Sequence, residues 1–187
     1  MISVRPPGRA RVEFLVTELS SAPFSYPEVG STRGAFPSGY NIDRYAAELG
    51  RGDVVFDAAR QAIRAGVPFD LPWVRCFLPR AFEPGAVVVV VARVMGVWWT
   101  NASRVIYTID ERDRFGFAYG TLPRHAEVGE ELFLVERARP SEDVTFRIEA
   151  FSRPRHPLVR LAAPFSRAVQ RRFGRGALDA MRAATSS

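Results

Sequence analysis

The chain has 187 residues, 47% of them hydrophobic and 25% charged, which predicts one domain of ordinary size with a single core. Its formal net charge is +6, and all 26 basic residues are arginine because the sequence contains no lysine. This bias is typical of a skewed coding genome, so the positive charge does not by itself indicate a nucleic-acid or membrane partner.

Cysteine content and apolar runs indicate the compartment. Cys76 is the only cysteine, which excludes an intrachain disulfide, and its neighbours Phe77 and Leu78 favour a buried thiol over a nucleophile. The apolar run at residues 12–16 is too short for a signal-peptide core, and no run approaches the ~18 residues of a membrane span. We therefore expect a soluble, cytoplasmic protein.

The first 39 residues are rich in proline and glycine. This composition predicts a segment that runs over the surface, with at most one short strand near residues 12–17. Residues 1–23 are interpreted as an N-terminal extension, with one edge strand at most, and residues 24–187 as a single domain.

A strand, a helix and a connector are predicted next. The strand covers residues 40–49, and glycines then turn the chain. Asp53 is a candidate N-cap for a short amphipathic helix, and Gly66 followed by Pro68 is a typical stop signal. Residues 67–82 contain three prolines and are interpreted as an irregular or partly helical connector.

Five strand-like runs follow, at residues 86–95, 104–110, 115–121, 131–137 and 144–153. The valine run of the first is apolar on both faces, as in a strand that is covered on both sides or lines a cavity. The last alternates most clearly, with Val144, Phe146 and Ile148 on one face. Short connectors predict antiparallel neighbours.

The terminal element, residues 157–184, is predicted as a long amphipathic helix that Pro164, Gly174 and Gly176 weaken. An apolar stripe follows one side, and arginines from Arg160 to Arg182 follow the other. The predicted fold class is therefore α+β, with a curved antiparallel sheet wrapped around a long C-terminal helix and a short helix after the first strand.

Several short sequence motifs, in this order along the chain, carry a resemblance to a known family. They are residues 26–30, residues 49–52, Asn101 with residues 104–107, residues 117–123 with His125, Glu127, Gly129, Glu130 and Glu131, and residues 151–154. Over residues 24–183 the chain resembles the uncharacterised domain-of-unknown-function family numbered nineteen-ninety, which is grouped with the START-like and birch-pollen-allergen-like helix-grip proteins. Ala102 and Ser103 depart from the proline and cysteine expected before Arg104.

The resemblance implies the helix-grip order of strand, helix, multistrand sheet and terminal helix. It implies no activity, because the wider superfamily mixes carriers, cyclases and hydrolases.

Candidate catalytic residues are His125, Glu127 and Glu131. A histidine near a carboxylate can be held in one tautomer and act as a general base near neutral pH. Gly120 and Pro123 indicate a loop, where the same groups could instead be solvated or hydrogen-bond the turn. The catalytic hypothesis requires His125 to point into a pocket and to carry a carboxylate partner.

Arg104 and Tyr107 are predicted to lie on opposite faces of one strand, so only one of them can face a cavity. Arg104 could bind a ligand carboxylate or phosphate through its bidentate fork, or form a structural ion pair with Glu131 or Glu149.

Adjacent Trp98 and Trp99 must also point to opposite faces of a strand. At most one of them lines the same wall as a ligand, and we expect the other to be covered by the N-terminal segment.

The leading hypothesis is a non-enzymatic binding module for a small apolar or amphipathic molecule held between sheet and terminal helix. The predicted ligand-binding residues are Arg104, Tyr107, Phe117, Tyr119, Phe133, Phe146, Ile148, Phe165 and Val169. The same side chains could fill the interior, and connected space below ~300 Å³ would argue against a carrier.

Two alternatives stay open, namely a cyclase- or hydrolase-type enzyme that uses His125 and a nearby glutamate, and a basic helix face for nucleic acid or acidic lipid. No metal or cofactor is expected, because His125, His156 and Cys76 show no ligand spacing and no phosphate-binding glycine loop follows a strand. The oligomeric state is open.

Overall fold

The computed structural model describes residues 1–155 and 163–186 and shows a curled antiparallel sheet that holds a long C-terminal helix. The elements are β1 Ile2–Ser3, α1 Arg9–Leu19, β2 Asn41–Arg51, α2 Gly52–Ala65, β3 Val74–Phe77, β4 Val87–Val94, β5 Val97–Asp110, β6 Arg114–Thr121, β7 Glu127–Arg137, β8 Asp143–Pro154 and α3 Ala163–Thr185. The predicted α+β class is confirmed. In the part of the chain described, no helix is both long and apolar enough to cross a membrane.

The strand order across the sheet is β2-β8-β7-β6-β5-β4-β3, and β1 adds to β5. Strands β3 to β8 form an antiparallel meander because their connections are short. Strand β2 pairs with β8 at the far edge, where α2 returns across the concave face. Gly66 ends α2 in the left-handed conformation and donates its N–H to the carbonyls of Ala62 and Ile63, as the stop signal predicted.

One half of the concave face is a solid core. Apolar residues of α2 and of the end of α3 pack there on the sheet, and the largest fully buried side chains include Phe117, Phe133, Phe146 and Ile148. Cys76 packs against this core, and burial raises the pKa of its thiol to about 12.

The convex face is covered by the N-terminal segment. Helix α1 packs Val12, Leu15 and Leu19 on the outer face of β4. Residues 26–32 are held by Glu130, which is 2% exposed and accepts hydrogen bonds from the Tyr26 hydroxyl at 2.8 Å and from the Gly30 N–H at 2.7 Å. The N-terminal segment is therefore packed against the sheet over much of its length.

Three predicted elements need correction. Residues 12–17 are helical, because burial follows Val12, Leu15 and Leu19 at helical spacing. The connector contains the strand β3, and Asp53 pairs with Arg137 in the first turn of α2 instead of capping it. Residues 157–162 of the predicted terminal helix lie outside the described residues.

Candidate ligand cavity

The other half of the concave face is hollow. Between it and the first turns of α3 lies a cavity of about 610 Å³. This exceeds the ~300 Å³ at the lower end of small-molecule sites. The interior is therefore solid under α2 and hollow under the start of α3.

The cavity has an apolar wall formed by β3, β4, β5 and α3. Alternation along β4 and β5 places every second side chain on the concave face. The residues of this wall are Trp73, Val74, Val90, Ala92, Val94, Met95, Val97, Trp99, Phe165, Val169 and Phe173. An apolar ligand body would be in contact mainly with valine and aromatic surface.

The opposite wall is acidic and centres on Glu131 of β7. The hydroxyl of Tyr119 on the neighbouring strand β6 donates a hydrogen bond to Oε2 of Glu131 at 2.6 Å. Burial raises the pKa of Glu131 to about 7, with smaller contributions from the charges of Asp43 and Glu127. The Tyr119 hydrogen bond opposes this shift because it stabilises the ionised form.

A second polar group joins the sheet to α3. Arg167 donates to both carboxylate oxygens of Asp43, at 2.5 and 2.9 Å, and to Oε1 of Gln170 at 2.9 Å. The amide of Gln170 in turn donates to Glu127, which also accepts from Ser166. Burial raises the pKa of Glu127, while these donors lower it. The network fixes the first turns of α3 over the acidic wall.

His125 lines the cavity but lacks the predicted carboxylate partner among the described residues. Its Nδ1 accepts the backbone N–H of Glu127 at 3.0 Å, so the neutral ring carries its proton on Nε2. Burial lowers the pKa of His125 to about 4. The ring is therefore neutral near pH 7.

Six of the predicted site residues line the cavity. They are the three catalytic candidates His125, Glu127 and Glu131 and three of the ligand-binding candidates, Tyr119, Phe165 and Val169. Their roles in catalysis or binding stay predictions.

Four predicted wall residues lie in the solid core instead. Phe117, Phe133, Phe146 and Ile148 are at most 1% exposed and pack against α2, the segment at Phe69 and one another. Alternation along β6, β7 and β8 predicts which side chains of each strand face inward, but it does not tell which end of that inward face is filled by packed side chains. The expectation that these four line a cavity is therefore wrong.

The expectation that Arg104 or Tyr107 faces the cavity is also wrong. A bulge between Val105 and Tyr107 inserts one residue, so both side chains lie on the convex face. Arg104 donates to the carbonyls of Ser20 and Ala22, at 2.7 and 2.8 Å, rather than to a glutamate. Both residues help to hold the N-terminal segment, since the hydroxyls of Tyr107 and Thr32 are 2.7 Å apart.

The two tryptophans lie on opposite faces. Trp99 lines the cavity, whereas Trp98 packs against the cluster formed by α1 and β4, as expected.

The arginines of α3 do not form one continuous basic face. Arg167 turns inward to Asp43, and Arg182 lies 3.2 Å from Asp179. Arg160, the first residue of the predicted basic face, lies outside the described residues.

Several cavity residues were missed. Asp43 and Tyr45 lie on the same face of β2 as Ala47, and an acid on the apolar-facing side of a strand was an available signal. Ser166 and Gln170 were not predicted because they are polar residues beside the apolar stripe of α3, and they face the cavity only in the first turns of that helix.

The comparisons with known proteins identify relatives along most of the chain. A family model described as "Domain of unknown function (DUF1990)" matches residues 25–180. A UPF0548 protein of Deinococcus radiodurans is 37% identical over 188 residues, covering 94% of each chain. A UPF0548 protein of Dictyostelium discoideum is 30% identical over 148 residues, covering 73% of this chain and 68% of that one.

Solved structures with low sequence identity share the fold. The Zhui aromatase/cyclase from Streptomyces sp. R1128 matches with a TM-score of 0.53 at 16% identity, covering 79% of this chain and 94% of that chain. The hypothetical protein jhp0584 from Helicobacter pylori matches with a TM-score of 0.54 at 10% identity, covering 87% and 96%. The family resemblance seen in the sequence is confirmed, and the chain belongs to the DUF1990 family of unknown function.

Proposed function

We propose that this protein is a binding module for a small amphipathic molecule, held between the hollow half of the sheet and the start of α3. The observation that carries the proposal is the 610 Å³ cavity, which has one apolar and one acidic wall. Cavities of this size and character are the usual sites of small ligands.

The contrast between the two walls supports an amphipathic ligand over a purely apolar one. Burying a carboxylate oxygen that stays unpaired is costly, so Oε1 of Glu131, which has no hydrogen-bond partner among the described residues, favours a ligand that brings a polar atom to this wall. The valine and aromatic residues opposite favour an apolar body.

A blocked cavity tests the proposal. Ala92 faces the cavity from β4, so Ala92→Trp would fill part of the space, whereas Ala46 is exposed on the outer face of β2 and Ala46→Trp would not. We expect the neutral fluorophore prodan to bind the wild type and Ala46→Trp saturably, and Ala92→Trp at least about tenfold more weakly. Fluorescence titration measures this.

The native ligand is sought separately, by native mass spectrometry of protein isolated from its own host. We expect a bound small molecule. An unliganded mass together with no saturable prodan binding would contradict the proposal.

A further inference from the structure

Resting on the proposed function, we infer that the ligand carries a protonated amine that contacts the carboxylate of Glu131, with its apolar body against the valine and aromatic wall. The inference rests on the charge, the free hydrogen-bonding capacity and the shape of the cavity lining.

The cavity lining has an excess of acid. Side chains of Asp43, Glu127 and Glu131 contribute carboxylates to the concave wall, and no arginine lines the cavity within residues 1–155 and 163–186. Arg167, which lies behind the wall, is already paired with both oxygens of Asp43. His125 is neutral near pH 7. A cationic ligand would supply the missing positive charge, while an anion would add to the repulsion.

Glu131 is the carboxylate that can accept a further hydrogen bond. Glu127 accepts hydrogen bonds from Ser166 and Gln170 on its two oxygens. Glu131 accepts one hydrogen bond, from Tyr119 on Oε2, and its Oε1 has no partner among the described residues. An ammonium group with three N–H donors fits an oxygen that already lines the cavity.

The geometry favours an organic cation over a metal ion. In the described ranges, no three histidine, cysteine, aspartate or glutamate side chains lie close enough to hold a metal. The opposite wall carries the aromatic rings of Trp73, Phe165 and Phe173, which suit an apolar or aromatic ligand body and not a hydrated ion.

Binding of an amine would be coupled to proton release. Burial raises the pKa of Glu131 to about 7, so part of the population is protonated near neutral pH and must ionise to bind an ammonium group. The charged and titratable groups that act on Glu131 from the neighbouring elements are Asp43 and Tyr45 of β2, Tyr119 of β6 and Glu127 of β7. One step further away, Cys76 of β3 lies near Tyr119, and Arg167 of α3 is paired with Asp43.

Three probes that share one apolar body test the inference by calorimetry. They are the cation naphthylethylamine, the neutral alcohol naphthylethanol and the carboxylate anion of naphthaleneacetic acid, which is called the acetate below. We expect the amine to bind most tightly to the wild type, and its affinity to rise about tenfold from about pH 6 to about pH 8 as Glu131 ionises.

The variant Glu131→Gln keeps the size of the side chain and removes its charge. At about pH 8 we expect it to bind the amine about tenfold more weakly than the wild type does, to lose most of the pH dependence, and to bind the alcohol almost unchanged. Glu48→Gln makes the same chemical change at an exposed position on the outer face of β2 and should leave all three affinities as in the wild type.

The outcomes separate this inference from the proposed function. Wild-type binding of the alcohol or the acetate as tightly as the amine would overturn the inference while the binding module stands, and so would an amine affinity that falls as the pH rises from 6 to 8. Failure of all three probes to bind the wild type would count against both. The wild-type pH series needs no variant, so a misfolded Glu131→Gln would still leave the inference open to refutation.

Discussion

The pKa values of His125 and Glu131 are shifted in opposite directions, although burial is the main cause of both shifts. The pKa of Glu131 rises from 4.5 to about 7, so between these values the folded protein binds more protons than the unfolded chain and the free energy of unfolding falls as the pH rises. The pKa of His125 falls from 6.5 to about 4, so the folded protein binds fewer protons and the free energy of unfolding rises with pH. The two effects oppose each other between about pH 4.5 and 6.5.

Removing one of the two groups should reveal the pH dependence of stability that the other causes. Glu131→Gln abolishes the contribution that falls with pH, so relative to the wild type we expect the variant to gain up to about 3 kcal/mol of unfolding free energy between about pH 4 and about pH 8. Urea denaturation at a series of pH values measures this. Glu48→Gln is the exposed control, and stability curves of wild type and Glu131→Gln that run parallel would contradict the pKa of Glu131.

Helix α3 passes close to β2 at Gly174. A Cβ atom there would lie 2.6 to 2.8 Å from three ring atoms of Tyr45, whereas at Gly176 it would lie 3.0 Å from the tip of Leu71. Glycine in a helix is about 1 kcal/mol worse than alanine, so its presence at position 174 is explained by close packing.

We expect Gly174→Ala to lower the free energy of unfolding by about 1–3 kcal/mol, because the ring of Tyr45 must move and the overpacking exceeds the gain in helix propensity. Gly176→Ala is the matched control and should be neutral or slightly stabilising, since the end of a leucine side chain can shift. Thermal unfolding of both variants decides this. Equal stabilisation by the two substitutions would refute the close contact.

The elements with strong local signals were predictable from the sequence. Helix α2 has a regular apolar stripe and a glycine stop, and β8 alternates over its length. Helix α1 was not, because Val12, Phe14 and Val16 also alternate like a strand, and only packing on β4 selects the helical stripe. Strand β3 has four residues between prolines and is defined by its pairing with β4.

The site was predicted in part for a similar reason. The polar group at His125, Glu127 and Glu131 was visible as a local cluster, and all three line the cavity. The bulge that turns Tyr107 to the convex face has no local signal in residues 104–107, and the boundary between solid and hollow core depends on where α2 lies. Both are properties of the assembled sheet.

At the scale of the whole molecule, the packing of the N-terminal segment bears on the predicted division of the chain into residues 1–23 and residues 24–187. Residues 1–23 were predicted as an extension, yet Leu15 is 3% exposed between α1 and the sheet, while Phe14 on the same helix is 57% exposed. We expect Leu15→Ala to lower the free energy of global unfolding by about 2–5 kcal/mol and Phe14→Ala to change it little.

Tryptophan fluorescence and far-ultraviolet circular dichroism should report a single, shared unfolding transition in both variants. If Leu15→Ala melts α1 alone and leaves the main transition unchanged, residues 1–23 are an extension that folds independently of the sheet.

The division of the concave face into a filled end and an empty end has a consequence for how this molecule can change. The side chains that sustain folding, such as Val88 and Val105, and those that would contact a guest molecule, such as Val94 and Val97, lie at opposite ends of β4 and β5. Substitutions at the empty end can therefore reshape the guest space at little expense to stability. We expect specificity and robustness to be adjustable independently in this chain.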